Sequence, residues 1–375
     1  MIKYPTSDSK LPFSDYINRC RTIVEEHRSD LQRFHANAKL IIDTNSPYEL
    51  IPSKPHYGDQ RLKYGVLLLH GLFDCPFSLK DVGECLQSNG MLCRSVLLPG
   101  HGTTPSDLLK VSYHDWIETL HYGIESLRQQ VEKVFLVGYS TGATLSIYQA
   151  LQDEQTIAGI ILLAPALKIK APIDLLLNWR QLIKWISNKR QWICYEDEID
   201  YARYRSIAFN PVIQLSMLTR VIKEMMRQHT VNCPVFIAAS REDETISSQK
   251  AIDFFSRLPN QNNKLLLYTS SDHRYPDQRI LTRRIQNQKN HINHFSHVSI
   301  PFAPNNSHYG EYGDYFHTSR LHSNQYVFGA YNRLEIQFFD ILYDLGIVRK
   351  KRRELTYNPD FDFMVEKISD FILKH

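Results

Sequence analysis

Residues 134–145 read Val-Phe-Leu-Val-Gly-Tyr-Ser-Thr-Gly-Ala-Thr-Leu and decide how the rest of the chain is interpreted. An apolar run of strand character passes directly into a stretch with helical spacing, and Ser140 stands at the junction between Gly138 and Gly142. Gly-x-Ser-x-Gly between a strand and a helix is typical of a nucleophilic serine on a strained turn. The glycines occupy positions where a side chain would collide with the adjacent strand or helix, and the helix points N–H groups at the serine. We therefore predict that Ser140 is a catalytic nucleophile.

Short apolar runs on both sides of this turn indicate a sheet. They are rich in Val, Ile and Leu, and they comprise residues 65–69, 92–98, 134–137, 157–163, 235–239 and 264–268. Helical stretches such as 77–87 and 141–152 separate most of them. Continuous apolar runs are typical of strands buried on both faces, and strand–helix alternation is typical of parallel βαβ units. The sequence therefore predicts an α/β fold with a mostly parallel central sheet flanked by helices.

The same alternation divides the chain into predicted segments. Residues 1–62 form an N-terminal helical extension, and 63–166 form the first part of the core. The alternation stops at 167–233, which is predicted to be a helical lid, and it resumes in the second part of the core, 234–375. That second part carries a tyrosine-rich insertion around 302–355. A lid inserted between two parallel strands covers the carboxyl edge of the sheet, where open α/β sheets bind ligands.

The predicted lid carries leucine, isoleucine and tryptophan at helical spacing in residues 174–186. Two interpretations stay open. Either the apolar face packs on the core with its basic neighbours in water, or it lines a lipophilic acyl channel while the basic residues contact an anionic lipid surface. These basic residues are Lys168, Lys170, Arg180, Lys184, Lys189 and Arg190.

Composition excludes several other classes of protein. The 375 residues are 43% hydrophobic and 22% charged, and the net charge of +4 with no Lys/Arg stripe does not favour nucleic acid. The six cysteines lack C-x-x-C spacing, so neither a metal site nor a disulfide framework is expected. The N-terminus does not read as a signal peptide, and the apolar runs fall short of the about 20 residues of a membrane span. We expect a cytoplasmic, soluble protein.

A second glycine-containing loop follows the first apolar run, at His70-Gly71. Acyl transfer at a serine requires N–H donors aimed at the developing oxyanion, each worth about 3–4 kcal/mol in the transition state. We predict the amide of Thr141 as one donor and the amide of Leu72, in preference to Phe73, as the other. His70 is interpreted as a structural histidine that fixes its loop.

These features together resemble a known group of enzymes. His70-Gly71, the Leu-Pro-Gly-His-Gly loop at 98–102, the Ser140 turn and the predicted lid resemble the monoacylglycerol lipase and carboxylesterase branch of the α/β-hydrolase superfamily, over about residues 63–300. Segments 65–109, 296–310 and 355–362 are also similar to bacterial α/β-fold hydrolases without an assigned substrate. The resemblance implies an α/β-hydrolase fold and a serine hydrolase that forms an acyl-enzyme. Its expected substrate is a small-molecule carboxylic ester or lipid with a lipophilic acyl chain, and no cofactor is expected.

The acid of the triad follows the nucleophile in the order that this fold uses. Glu242, Asp243 and Glu244 come directly after the strand that succeeds the predicted lid. Asp243 matches the spacing of the family, and we predict that it fixes the tautomer of the catalytic histidine. The two glutamates are interpreted as solvated loop charges.

Two histidines compete for the role of base. His273 follows the run 264–268 directly, at the spacing that simpler family members use. His297 lies beyond a basic stretch, 279–289, that reads as an insertion, and its flanks look like a strand end that leads into a loop. The bacterial set resembles this chain in carrying its histidine in a similar Ser-His-apolar segment. We predict His297 as the base, with His273 as the alternative.

Other functions remain as alternatives. The same triad serves thioesterases, acyltransferases and aminopeptidases, and Glu196-Asp197-Glu198 would supply the anchor that a peptidase needs for the substrate amine. A hydrolase-fold protein that only binds a ligand is the other alternative. Such proteins usually lose a triad residue or a glycine of the turn, and both are retained here. The oligomeric state stays open.

Overall fold

The computed structural model describes residues 2–6, 10–28, 31, 38–153, 155–169, 191–284, 291–317, 326–329 and 340–375. These residues fall into two compact units. Unit 1 contains the described residues of 2–160 and 191–233, and unit 2 contains those of 161–169 and 234–375.

Unit 1 is built on four strands in the order β1-β3-β2-β4. They are β1 (Tyr48–Leu50), β2 (Leu62–Leu69), β3 (Leu92–Ser95) and β4 (Val131–Tyr139). β2 pairs in parallel with both β3 and β4, whereas the short edge strand β1 is antiparallel to β3. The last six residues of β2 and of β4 are buried, as their continuous apolar sequences predict.

Two helices of unit 1, α1 (Phe13–His27) and α2 (Ala38–Asn45), precede its strands. In the alternation that the sequence predicts, β2 is followed by α3 (Lys80–Ser88), β3 by α4 (Tyr113–Arg128) and β4 by α5 (Thr141–Gln152). A capping box between Ser112 and Asp115 starts α4, because the carboxylate accepts the Ser112 amide at 2.7 Å. A fifth strand, β5 (Gly159–Leu163), begins in unit 1 and ends in unit 2.

The described part of the predicted lid is not entirely helical. β6 (Trp192–Cys194) and β7 (Ile207–Ala208) form a two-stranded antiparallel sheet, and α6 (Phe209–Met225) follows. The expectation of an all-helical segment is therefore wrong here. Trp192 and Ile193 have strand propensity, and the Ser206 hydroxyl closes the hairpin by accepting the Glu196 amide at 3.1 Å. The amphipathic stretch 174–186 lies outside the described residues.

Unit 2 contains three parallel strands in the order β8-β9-β10. They are β8 (Val235–Ser240), β9 (Lys264–Thr269) and β10 (Ile280–Arg284). The other elements are α7 (Ser248–Ser256), α8 (Asp314–His317), α9 (Phe361–Lys374) and the parallel pair β11 (Tyr326–Gly329) and β12 (Lys351–Glu354).

β10 corrects one sequence-based expectation. The basic stretch 279–289 was expected to be an insertion, but residues 280–284 are a strand of the sheet. β10 is half-exposed, so its basic side chains do not need to be buried. Arg283 instead pairs with Asp360, with 2.9 Å between Nε and Oδ2.

None of the helices in the described ranges combines the length and the apolar character that crossing a bilayer requires.

Candidate active site

Ser140 stands on a strained turn between β4 and α5. Its backbone has φ of 52° and ψ of −106°, a region that side-chain-bearing residues rarely adopt. The turn is tight because glycines flank it. A Cβ on Gly138 would lie 2.3 Å from the carbonyl carbon of Gly142, and a Cβ on Gly142 would lie 1.9 Å from the carbonyl oxygen of Leu69. The geometry is that of a nucleophile elbow.

Two amides near the elbow are candidate oxyanion donors. Thr141 is the first residue of α5, so its N–H has no partner within the helix. The Phe73 amide donates to Nε2 of His101 at 3.2 Å. The Leu72 amide, in contrast, has no acceptor among the residues that the structure describes. The sequence offered the amides of Leu72 and Phe73 as alternatives for the second donor. Of these two, only the Leu72 amide has no acceptor among the described residues.

Two buried histidines fix the loops that follow β2 and β3. Nε2 of His70 accepts the Leu98 amide at 3.0 Å, and its Nδ1 donates to the Gly71 carbonyl at 2.9 Å. His101 accepts the Phe73 amide in return. Burial lowers the pKa of His101 to about 4 and holds the pKa of His70 well below its usual value. Both rings are therefore neutral at pH 7, which suits their use as acceptors. This arrangement agrees with the interpretation of His70 as structural, and the matching role of His101 was missed.

In unit 2, Asp243 and His297 contact each other directly. Nδ1 of His297 lies 2.7 Å from Oδ2 of Asp243, and both side chains are buried. The other carboxylate oxygen of Asp243 accepts the amides of Thr245 and Ile246 at 2.8 and 2.9 Å. These bonds fix the carboxylate just beyond β8, so it holds the proton of the imidazole on Nδ1. In this tautomer the lone pair of the ring is on Nε2.

Hydrogen bonds on both sides fix the loop that carries His297. Ser240, the last residue of β8, donates its hydroxyl to the Phe295 carbonyl at 2.9 Å. Ser296 donates its hydroxyl to the Leu355 carbonyl and accepts the Ser299 amide. No regular strand runs directly into His297 among the described residues, contrary to the expectation from its flanks.

The glutamates beside Asp243 are not solvated loop charges, so that interpretation is wrong. Glu242 accepts the amide of Ser270 at 3.1 Å and its hydroxyl at 2.9 Å. Glu244 accepts the amide of His297 at 3.4 Å. Burial, followed by the charges of Glu354 and Asp243, raises the pKa of Glu244 well above its usual value. In the sequence, the only indication of this role is that both glutamates are next to Asp243. The fold is needed to show which groups they bind.

His273, the alternative base, is exposed on the loop after β9. Its amide donates to the Ser271 carbonyl at 2.9 Å. Its neighbour Asp272 pairs instead with Arg284. Within the described ranges, no group of three or more His, Cys, Asp or Glu side chains is arranged to hold a metal ion.

The parallel sheets and the elbow define an α/β-hydrolase. Residues 60–276, more than half of the chain, match the model of the family Hydrolase_4, described as "Serine aminopeptidase, S33". The chain belongs to this family. The matched region includes Ser140, Asp243 and His273, and it ends before His297.

Two similar proteins are named as a lipase and a lipase homolog. The thermostable monoacylglycerol lipase of Bacillus sp. (strain H-257) is 25% identical over 221 residues, which cover 59% of this chain and 86% of that protein. A monoglyceride lipase homolog of Monkeypox virus is 22% identical over 223 residues, which cover 56% and 80%. The solved structure reported for two metagenome-derived lipolytic enzymes, LipS and LipT, aligns with a TM-score of 0.50 at 22% identity, over 59% of this chain and 86% of the other. The chain is thus an α/β-hydrolase that is similar in sequence to monoacylglycerol lipases.

Proposed function

We propose that this protein is a serine esterase that cleaves carboxylic esters of lipophilic acyl chains through a Ser140–His297–Asp243 triad. The observation that carries the proposal is the elbow of Ser140, because a strained serine at a helix N-terminus is costly and is kept where it serves as a nucleophile. The Asp243–His297 pair supports it, since it presents the tautomer that a general base requires.

In the proposed mechanism, His297 takes the proton of Ser140 and the serine oxygen attacks the acyl carbonyl. The amides of Leu72 and Thr141 stabilise the oxyanion. His297 then protonates the leaving alcohol, and water repeats the sequence on the acyl-enzyme.

The lipophilic substrate is proposed from the names of the relatives and from the apolar sequence of the predicted lid. Contact of that lid with an anionic lipid surface is proposed from its basic residues alone.

The aminopeptidase alternative needs a carboxylate that is free to bind the substrate amine. Glu196 pairs with Arg205 at 3.2 Å, and Glu198 accepts the amides of Arg205 and Ser206 at 2.7 and 2.9 Å. Both glutamates therefore stabilise their own loop, which argues against their use as the amine anchor, whereas Asp197 between them is exposed.

The test is hydrolysis of p-nitrophenyl esters of increasing chain length and of a monoacylglycerol, beside an aminoacyl p-nitroanilide. We expect the esters to be cleaved and the anilide to be spared. Ser140→Ala should lower kcat by about a million-fold, to background. Ser146→Ala is the matched control, because this buried serine of α5 donates to the Gly142 carbonyl and is outside the proposed triad. Preferred cleavage of the anilide, or ester hydrolysis that survives in Ser140→Ala, would refute the proposal.

A further inference from the structure

One residue near the middle of the predicted lid binds the loops that follow β2 and β3 within unit 1. The amide of Tyr204 donates to the Phe73 carbonyl at 2.7 Å. Its phenol oxygen accepts the Thr103 amide at 2.7 Å and donates to the Gly100 carbonyl at 3.3 Å. Its ring also lies parallel to that of His101, which accepts the Phe73 amide. Tyr204 therefore contacts the oxyanion loop directly through the Phe73 carbonyl, and His101, whose ring lies beside that of Tyr204, binds the Phe73 amide.

These two bonds matter because Phe73 has a left-handed backbone, with φ of 63°. A side-chain-bearing residue in this region costs about 1–3 kcal/mol and keeps the conformation only where its surroundings enforce it. The conformation of Phe73 sets the course of the loop next to Leu72. If the loop relaxes, the proposed oxyanion donor moves.

The Tyr204 segment is itself held by two side chains of the N-terminal extension. Nη2 of Arg28 and Nδ2 of Asn45 each donate to the carbonyl of Tyr201 at 2.8 Å. Asn45 also donates to the Ile41 carbonyl at 2.9 Å. Both side chains are buried, with exposed fractions of 7% and 2%. Burying a guanidinium and a carboxamide is unfavourable unless their hydrogen bonds are satisfied, and one bond of each side chain goes to the Tyr201 carbonyl. Arg28 also donates to the Gly102 carbonyl at 3.4 Å.

We propose that Arg28 and Asn45 are positioning residues for the oxyanion loop, acting through Tyr201 and Tyr204 on Phe73. This inference rests on the proposed esterase function. It assigns a role in the reaction to the N-terminal extension, most of which lies outside the region that matches the family model.

The test compares Asn45→Ala and Arg28→Lys with Tyr16→Phe in the full-length protein. Tyr16 is a suitable control because it is buried in the same extension and its hydroxyl accepts the Leu97 amide at 3.1 Å, a contact that does not involve Tyr201 or Phe73. The readouts are kcat and KM on a short soluble ester, the melting temperature, and hydrogen exchange of the peptide that contains residues 70–75.

We expect Asn45→Ala to lower kcat by about tenfold or more, a fraction of the 100- to 1,000-fold loss of a whole oxyanion donor, with KM within about twofold. Exchange in 70–75 should accelerate. Arg28→Lys keeps the positive charge but replaces the planar guanidinium with a single ammonium. It should therefore lower kcat by less than Asn45→Ala does. Tyr16→Phe should lower the melting temperature without changing kcat or the exchange of 70–75.

Unchanged kcat and exchange in folded Asn45→Ala and Arg28→Lys would overturn the inference while the esterase function stands. A loss of kcat in Tyr16→Phe equal to that in Asn45→Ala would also overturn it, because the effect would then be general destabilisation. If Asn45→Ala does not fold, Arg28→Lys decides the question by the same readouts. A wild-type protein without esterase activity would overturn the proposed function and this inference together.

Discussion

The turn that carries Ser140 in unit 1 and the loop that carries His297 in unit 2 are fixed by different forces. Around Ser140 the constraint is steric, because glycines allow backbone to approach backbone at distances that no Cβ tolerates. The neighbouring loops are joined by neutral hydrogen bonds of buried histidines. Around His297 serine hydroxyls fix the loop, and the charge of the Asp243 carboxylate holds the ring itself.

This difference determines how each region responds to substitution. A steric constraint fails when a single methyl group is added, and it is indifferent to charge. A carboxylate contact tolerates small changes of volume but depends on which atoms carry protons.

The largest effect is expected for Gly142→Ala. The added Cβ would overlap the Leu69 carbonyl, so the turn must open, and we expect a loss of about 3 kcal/mol or more in the free energy of unfolding and no measurable turnover. Gly346→Ala is the control. No atom of the residues that the structure describes lies within 4 Å of its Cβ position, and its positive φ alone should cost about 1 kcal/mol. Urea unfolding measures both, and equal losses would contradict the steric account.

The next effect is that of Asp243→Asn. The amide keeps the shape of the carboxylate but stabilises the wrong histidine tautomer, so kcat should fall about ten-thousand-fold while the fold is retained. Glu242→Gln also removes one negative charge, at the residue next to Asp243. Its remaining carbonyl oxygen still accepts the Ser270 amide. We expect kcat of Glu242→Gln to fall by less than about tenfold, because a polar substitution next to the site has a small effect. Similar losses in the two variants would show that general charge near β8, and not the contact to His297, governs the rate.

The smallest effect concerns how the free energy of unfolding depends on pH. It involves a buried carboxyl group of unit 1, that of Asp74. Burial raises the pKa of Asp74 to about 7, although its oxygen accepts the Cys75 amide at 2.9 Å. Between its ordinary pKa and 7 the folded state binds the extra proton, so the stabilisation is complete at low pH and is lost as pH rises through about 7. The free energy of unfolding should therefore fall between pH 5 and 8 by about 3 kcal/mol at most.

Asp74→Asn removes this titration. Urea unfolding of the variant should show a shallower decline over the same pH range than that of the wild type. Parallel curves for the two proteins would mean that Asp74 ionises normally in the folded state.

The steric region was the easier one to predict from the sequence. Gly138, Ser140 and Gly142 lie within five residues, so one short motif contains the residues that impose the steric constraint. The buried parallel strands were predictable for the same reason, since burial on both faces leaves a continuous apolar run. β10 was missed because a half-exposed edge strand has no such run.

The region around His297 and the loop contacts depend on long-range pairs. Asp243 and His297 are 54 residues apart in sequence, and the preference for His297 came from resemblance and from its flanking residues. The contact agrees with that preference, while the catalytic role stays a proposal. The bonds of Arg28 and Asn45 reach a backbone carbonyl more than 150 residues away, and a carbonyl carries no sequence signal.

The proposed function depends on Ser140 as the nucleophile and on His297 as its base. The direct measurement is labelling by a fluorophosphonate probe, with the modified peptide identified by mass spectrometry, in wild type, Ser140→Ala, His297→Ala and His273→Ala. The account predicts modification at Ser140, loss of labelling in Ser140→Ala and His297→Ala, and normal labelling in His273→Ala. Loss in His273→Ala with retention in His297→Ala would contradict the assignment of the base, and folded wild-type protein that does not label would contradict the esterase account itself.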